Sequence, residues 1–207
     1  MYALVEDNNI TQIITNPKTM VIGDVRYPAK IFQLWSQSEL NAIGIYEVIT
    51  DSSNFKDEKW YINTNESYAF ADNQVTRSWG TATPKAHADT LWTQQDSDDG
   101  DLPDDKEVGD VKVEGLKTQL IRTIKQQASG LLAPTDWYVV KASEVSDYSV
   151  PTNIATYRAS VRTKSNEMET AITNASDTPA LETLYTYTEQ DDGSVTRPLG
   201  ELPTLEI

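Results

Sequence analysis

Cysteine is absent from this sequence of 207 residues, and histidine occurs once. The lack of cysteine excludes disulfides, thiol nucleophiles and thiolate metal sites, and one imidazole is too few for a zinc site of the usual kind. Basic residues are also scarce, since 17 lysines and arginines face 32 acidic residues and give a net charge of −15. A field of this sign repels nucleic acid and anionic membrane surfaces, so neither is expected as a partner.

Long apolar runs are missing as well. No stretch approaches the roughly 20 residues that a membrane-spanning helix needs, and the N-terminus lacks the basic and apolar pattern of a signal peptide. We therefore expect no membrane insertion and a cytoplasmic location. The apolar fraction is nevertheless 38%, with five tryptophans and ten tyrosines, which in a chain of this length is enough to build a buried core.

Short strands separated by turns dominate the first part of the chain. Polar turn residues predict hairpins at Asp7-Asn8-Asn9, Gly23-Asp24 and Asp72-Asn73, each between apolar runs. Ser36 and Glu39 have the spacing of a capping box, which opens a short helix that ends at Gly44 and precedes a strand. The sequence thus predicts a small, mainly antiparallel β domain over residues 1–92 with one short helix.

An acidic segment follows. Residues 96–110 contain eight acidic side chains and one lysine, with glycine and proline and almost nothing apolar. Such a composition cannot nucleate a core, and its like charges repel one another. We predict a flexible acidic linker over residues 93–112 between two modules.

Helical periodicity dominates the remainder. One apolar stripe runs through Val113, Leu116, Leu120, Ile124, Ala128 and Leu131, and a second through Ile154, Tyr157, Val161, Met168 and Ile172. Pro134 should keep Ala133 out of the helical region and end the first helix, whereas the second begins near Pro151. A third helix is predicted at Thr178-Pro179 and a hairpin around Asp192-Gly193. The sequence predicts a helix-loop-helix domain over residues 113–207 that ends in a β-hairpin, and an α+β protein overall.

Trp137 follows the turn predicted at Thr135 and Asp136. A large amphipathic ring at this position could hold the two helices together. If it does, replacing Trp137 by alanine should cost about 3–5 kcal/mol, the range for a buried large aromatic side chain.

No residue pattern in the sequence indicates catalysis. His87 lies in a polar stretch with no nucleophile motif nearby, which favours an exposed histidine before the linker. The run from Asp96 to Asp101 does not fit a calcium-binding loop, because counting from Gly100 places Gln95 first and Lys106 last. No acidic pair outside the linker and no glycine-rich phosphate loop is apparent. We assign no catalytic residue, no cofactor and no metal site.

Arg158 and Arg162 lie four residues apart and share a helical face beside Tyr157. Asp136 is the natural ion-pair partner for one of them. Two interpretations stay open. Either the arginines form an ion pair or a cation–π contact inside the module, or they form a partner-binding patch. That patch would consist of Trp137, Tyr157, Arg158 and Arg162, residue types that are frequent in interface hot spots.

A resemblance to a known family rests on residues of this same region. Leu131-Leu132, Thr135-Asp136-Trp137, Pro151, Tyr157-Arg158 and Val161-Arg162 resemble the "LL–TDW … P … YR–LR" signature of tail-fibre assembly chaperones of tailed bacteriophages. The chain departs from that signature at Ile154, where the family often has an aromatic residue, and at Val161, where it has leucine. In the first module, Tyr27-Pro28, Ile31, Trp35-Ser36, Glu39-Leu40 and residues 43–48 are similar to N-terminal segments of tail-fibre-associated proteins.

The resemblance implies a function in assembly. Such chaperones help the C-terminal part of a tail fibre to trimerise, and some stay at the fibre tip. We therefore expect a non-enzymatic chaperone that binds the distal part of a phage tail-fibre protein in the host cytoplasm, with the virion tail as a further location. The alternative is a structural tail or fibre-tip component that contacts the host surface. A tail-associated hydrolase is a third and more distant hypothesis.

Overall fold

The computed structural model describes residues 1–205, and the chain divides into two units, Met1–Thr83 and Pro84–Ile207. Each unit is described by itself. The first is built mainly from strands and the second mainly from helices, so the predicted α+β class is confirmed.

The first unit is organised around a five-stranded sheet. Its elements are β1 (Tyr2–Glu6), β2 (Asn9–Ile14), β3 (Met20–Ile22), β4 (Val25–Tyr27), α1 (Ile31–Leu34), α2 (Gln37–Ala42), β5 (Ile45–Thr50), β6 (Tyr61–Ile62), β7 (Ser67–Ala71) and β8 (Gln74–Ser78), with β9 (Thr83–Pro84) at its end. The strand order is β2-β1-β5-β8-β7. All neighbours in this sheet are antiparallel except β5 and β8, which are parallel.

The interior strand β1, which lies between β2 and β5, is buried on both faces of the sheet. Leu4 points into a cluster with residues of α1, α2 and the β3–β4 hairpin. Its neighbours Ala3 and Val5 point to the other face and pack with Val75. A strand that is covered on both sides must be apolar at successive positions, which explains the continuous run Ala3-Leu4-Val5.

The turns of this unit follow the sequence prediction. Asp7 and Asn8, which join β1 to β2, have φ values of 49° and 62°. Asp72 and Asn73, which join β7 to β8, have nearly the same values, 50° and 62°. Aspartate and asparagine tolerate this left-handed conformation, and two such residues in succession give a turn whose twist matches that of the strands.

The predicted capping box is present at the start of α2. The Ser36 hydroxyl accepts from the backbone N–H of Glu39, and the Glu39 carboxylate accepts from the backbone N–H of Ser36 at 2.7 Å. The hydrogen bond that the Ser36 hydroxyl donates to the Glu39 carboxylate, followed by the one from the Ser36 backbone N–H, holds the pKa of Glu39 below its ordinary value. The helix ends as predicted before Gly44, which has φ +83° and leaves no room for a side chain, because a Cβ would lie 2.6 Å from the Val5 carbonyl oxygen.

The second unit contains a pair of long helices. Its elements are β10 (Thr90–Leu91), α3 (Gln94–Asp98), β11 (Val111–Val113), α4 (Leu116–Leu132), a 3₁₀ turn (Ala133–Thr135), α5 (Asp136–Glu144), α6 (Thr152–Asn174), α7 (Thr178–Tyr185), β12 (Thr188–Glu189) and β13 (Val195–Thr196). α4 packs along α6, and α7 packs on α6 as well. The predicted stripes are buried at Leu116, Leu120, Ile124 and Ala128 on α4 and at Ile154, Tyr157, Val161, Met168 and Ile172 on α6. The predicted hairpin around Asp192-Gly193 is also present.

Local predictions for this unit need correction at its helix ends. Val113 belongs to β11 and is 60% exposed, so it is not the first residue of the α4 stripe. Ala133 has φ −52° and ψ −45°, which is helical, although it precedes proline. The α-helix does end at Leu132, but the chain continues through the 3₁₀ turn into α5, where the sequence indicated a loop. Proline is accepted in the first turn of a helix because no N–H is needed there.

The acidic segment lies within the second unit, whereas the sequence predicted it between the two modules. Its ends are brought together by the pairing of β10 with β11. The Gly109 N–H donates to the Trp92 carbonyl, and the Trp92 N–H donates to the Asp110 carbonyl, each at 2.8 Å. Inside it, Asp96 caps α3 and pairs with Lys112. The Lys112 ammonium, followed by the Thr93 hydrogen bonds, holds the pKa of Asp96 far below its ordinary range.

Residues 85–89 form hydrogen bonds with helices α4 and α7 of the second unit. The backbone N–H groups of Leu116 and Lys117, at the start of α4, donate to the carbonyls of Ala86 and His87 at 3.0 Å. Asp89 accepts from the backbone N–H of Gly115 at 2.7 Å and from the Thr118 hydroxyl at 2.8 Å. The buried Thr178 hydroxyl donates to the Lys85 carbonyl at 2.6 Å. These residues were predicted to close the first domain, but their partners lie in the second unit.

The structure thus changes the expected result of limited proteolysis. Most side chains between Asp98 and Asp110 are exposed, so a protease that cuts after acidic residues should cleave there first. Because residues 85–89 are bonded to α4 and α7, the two fragments should co-elute in gel filtration without denaturant and separate in urea. Fragments that part at once without denaturant would contradict this arrangement. The mobility of the acidic segment itself stays a prediction, which the cleavage rate measures.

Candidate partner-binding site

Arg158 joins α6 to the turn that follows α4. Its side chain is almost fully buried, with 7% of the residue exposed. Nη1 donates to the Leu132 carbonyl at 3.0 Å and to the Thr135 hydroxyl at 2.6 Å, and Nη2 lies 2.8 Å from an oxygen of Asp136. The planar guanidinium thus satisfies the carbonyl at the end of α4 and the carboxylate at the start of α5 together. The predicted ion pair between Asp136 and one of the arginines is present.

Tyr157 supports the same junction from the next position on α6. It is 8% exposed and packs with Ala128 and Val161. Its hydroxyl donates to the Leu131 carbonyl at 3.2 Å. Tyr157 and Arg158 therefore satisfy successive carbonyls in the last turn of α4, which would otherwise lack a partner inside the helix.

Trp137 is not held between the two long helices. The residue is 51% exposed, so the prediction that it is buried between α4 and α6 is wrong. Its ring lies 3.9 Å from the ring of Tyr138, and Lys141 Nζ lies 5.8 Å from the Trp137 ring centroid and 4.3 Å from that of Tyr148. The cation over Trp137 is thus a lysine of the same helix. Arg158 and Tyr157, rather than Trp137, connect the end of α4 to α6.

Helix α5 has no buried residue at all. Its exposed large apolar side chains are Trp137, Val139 and Val140, and Val145 follows directly after its last residue. We call Trp137, Val139, Val140 and Val145 the α5 apolar surface. A helix that buries nothing gains little from packing, and valine and aromatic residues are weak helix formers. The contacts of Arg158 with Thr135 and Asp136 fix its N-terminal end.

Arg162 lies one turn after Arg158 and is exposed. Among residues 1–205 its one hydrogen bond is a long one of 3.4 Å, donated by Nη1 to the Arg158 carbonyl. It lines a groove of about 410 Å³ together with Lys125, Ser129, Asp136, Arg158 and Asn166. The structure therefore brings Asp136, Arg158 and Arg162 to one place.

The predicted partner-binding residues thus fall into different environments. Tyr157 and Arg158 are buried and act as framework, whereas Trp137 and Arg162 are accessible. The sequence prediction missed Val139, Val140, Lys141 and Val145. The signal for them was the uninterrupted run Trp137-Tyr138-Val139-Val140, whose spacing fits neither a buried stripe nor a half-buried strand.

The remaining candidates for chemistry were also located. His87 is half-buried rather than exposed, and its carbonyl accepts from Lys117. Among residues 1–205 no group of three or more histidine, aspartate or glutamate side chains is arranged to hold a metal ion. No helix in the same range is long and apolar enough to cross a membrane.

The fold and the site define an α+β protein with an exposed apolar helix held at its N-terminal end by a buried arginine. No protein-family model, curated protein or solved structure matches the chain.

Proposed function

We propose that this protein is a tail-fibre assembly chaperone of a tailed bacteriophage, which acts in the host cytoplasm and binds the distal part of the fibre through the α5 apolar surface. The observation that carries the proposal is the position of Trp137. The other motif residues of this junction, Tyr157 and Arg158, are buried in the framework, while Trp137 is half exposed on a helix that buries nothing.

The composition of the α5 apolar surface fits protein binding. Exposed apolar patches that are contiguous and rimmed by polar residues mark interaction sites, and tryptophan is the residue type most enriched in hot spots. Val139, Val140 and Val145 are each more than 40% exposed, and Val140 lies one helical turn after Trp137 on the same side of α5. A fibre segment that covers them would remove apolar area from water, which is the main driving force of association.

Binding also accounts for the site better than catalysis. Catalysis requires polar groups held in a fixed arrangement around a reacting centre. On α5, Asp136 is ion-paired with Arg158, Lys141 lies over aromatic rings and the Ser143 hydroxyl donates to the Val140 carbonyl. We therefore include the absence of enzymatic activity in the proposal. Hydrolysis of a polysaccharide or of peptidoglycan by the purified protein would contradict it.

Co-expression with the neighbouring fibre gene tests the proposed function. We expect more soluble, trimeric fibre when the protein is present, and co-purification of the protein with a C-terminal fibre fragment. Detection of the protein in purified virions would show that it stays bound to the tail after assembly. If instead the protein binds host cells alone and leaves the fibre yield unchanged, it is a fibre-tip component that contacts the host surface.

Replacing Trp137 by alanine should separate binding from folding. We expect a loss of stability below about 1 kcal/mol, because half-exposed side chains contribute little to the core. Retention of the fibre fragment should fall tenfold or more, as expected for a tryptophan hot spot. Urea unfolding and a pull-down with the fibre fragment measure the two effects.

A matched pair of valine variants provides the control. Val140 and Val195 are 52% and 60% exposed, and only Val140 belongs to the α5 apolar surface. Val140→Asp should abolish retention of the fibre fragment, and Val195→Asp should leave it unchanged. Equal retention by both variants would show that another surface binds the fibre.

A further inference from the structure

Arg162 is a cation that the surrounding fold leaves unpaired. Within residues 1–205 no carboxylate lies within 4.0 Å of its guanidinium, whereas Arg77, Arg122, Arg158 and Arg197 each have one. Arg26 on the β3–β4 hairpin also lacks such a carboxylate within these residues, and Arg162 in addition lines the groove between α4 and α6. Its hydrogen bond to the Arg158 carbonyl uses Nη1 alone, so other N–H groups stay available to a ligand.

The groove around Arg162 is positively charged, although the protein is acidic. Lys125, Arg158 and Arg162 line it, and Asp136 is its one acidic lining residue. Asp136 neutralises Arg158, and Lys125 Nζ lies 3.4 Å from Glu169, just outside the lining. Arg162 is therefore the one cation of this lining that has no carboxylate within 4.0 Å among residues 1–205.

The other lining residues indicate which anion fits. Ser129 and Asn166 bring a hydroxyl and an amide to the groove, while Ala128 and Leu132 contribute apolar surface. The guanidinium fork of arginine matches the two oxygens of a carboxylate. A polyanion such as nucleic acid would be repelled by the charge of the whole chain. A single carboxylate next to an apolar side chain satisfies all of these features.

We propose that the groove between α4 and α6 is a carboxylate-binding site, in which Arg162 receives the C-terminal carboxylate of a bound polypeptide and Leu132 contacts the apolar side chain of its last residue. The identification of this polypeptide as the tail fibre rests on the proposed function. Asp136 links the two surfaces, since it lines the groove and begins α5. Arg162 is the recognition residue, and buried Arg158 is a positioning residue that shapes the groove.

The site is tested in the whole protein with N-acetyl-leucine as the probe and N-acetyl-leucinamide as its uncharged match. Proton–nitrogen NMR spectra should show saturable shifts of the Arg162 Nε–H and Asn166 side-chain signals with the carboxylate and none with the amide. Arg162→Gln should weaken binding at least tenfold, read from the Asn166 signal. Equal responses to both compounds, or unchanged affinity in the variant, would overturn the proposal.

Arg26→Gln is the matched control, because Arg26 is exposed on the β3–β4 hairpin and the substitution removes the same charge. This variant should bind the carboxylate like the wild type, and both variants should keep the wild-type melting curve. A loss of affinity in both would indicate general electrostatics and refute a specific site.

The same variants in the fibre pull-down separate the two proposals. If Arg162→Gln loses the fibre fragment and Arg26→Gln keeps it, the groove takes part in fibre recognition. A fibre fragment retained equally by both variants supports the chaperone function and refutes the groove as its site. Carboxylate binding by a protein that never retains the fibre supports the groove and refutes the chaperone function.

Discussion

A fragment that begins at residue 113 should be much less stable than one that begins at residue 84. The longer fragment keeps the hydrogen bonds of residues 85–89 to α4 and to Thr178, which the shorter one loses. Each such bond contributes about 1 kcal/mol net, and helix caps cost 0.5–2 kcal/mol to remove. We therefore expect a loss of roughly 5 kcal/mol, comparable to the whole stability of a small domain.

Urea unfolding of both fragments, followed by circular dichroism, measures this difference. The longer fragment should show a single cooperative transition, and the shorter one should be largely unfolded without urea. Asp89→Ala in the longer fragment is an intermediate case, since it removes the acceptor of Gly115 and Thr118 only. If both fragments unfold at the same urea concentration, residues 84–112 contribute nothing to the stability of the second unit.

Replacing Arg158 by methionine should destabilise the second unit by about 3 kcal/mol. The substitution keeps most of the apolar stem but removes the donors to Leu132 and Thr135 and the cation opposite Asp136. Hydrogen bonds to charged groups contribute about 1.5–3 kcal/mol each, and Thr135 is buried where water cannot replace the donor. The exposed Asp136 carboxylate can be solvated, which limits the total cost.

Arg162→Met is the matched control for this variant. Arg162 lies on the same helix and loses the same charge, but it is exposed and makes only one long hydrogen bond. Its substitution should change the free energy of unfolding by less than about 0.5 kcal/mol. Equal effects of the two substitutions would mean that charge rather than the buried contacts of Arg158 determines the stability.

Several elements were predictable because their signals are local. The turns at Asp7-Asn8 and Asp72-Asn73 need residues that tolerate positive φ, and the capping box at Ser36 and Glu39 is satisfied within one helical turn. The stripes of α4 and α6 were predicted because a helix repeats its buried face every three to four residues. An ion pair of Asp136 with Arg158 or Arg162 was predictable, because these two arginines share one helical face, but the sequence did not show which of them pairs.

The sequence by itself determined the α+β class, most of the hairpins and the long helices, because these depend on residues that are neighbours along the chain or on one helical face. Only the tertiary structure decided which side chains of the "TDW" and "YR" segments are buried. Arg158 has three polar partners around it and is covered, whereas Trp137 contacts its helix neighbours Tyr138 and Lys141 and stays half exposed on a helix that buries no residue.

The boundary between the units was decided in the same way. The charge of residues 96–110 correctly indicates a segment without a core, but a coreless segment can be a loop within a domain as well as a linker between domains. Hydrogen bonds from Gly115, Leu116 and Thr178 back to residues 85–89 place it within the second unit. Such contacts join residues that are up to 93 positions apart, and no periodicity or local composition records which carbonyl a distant hydroxyl will reach.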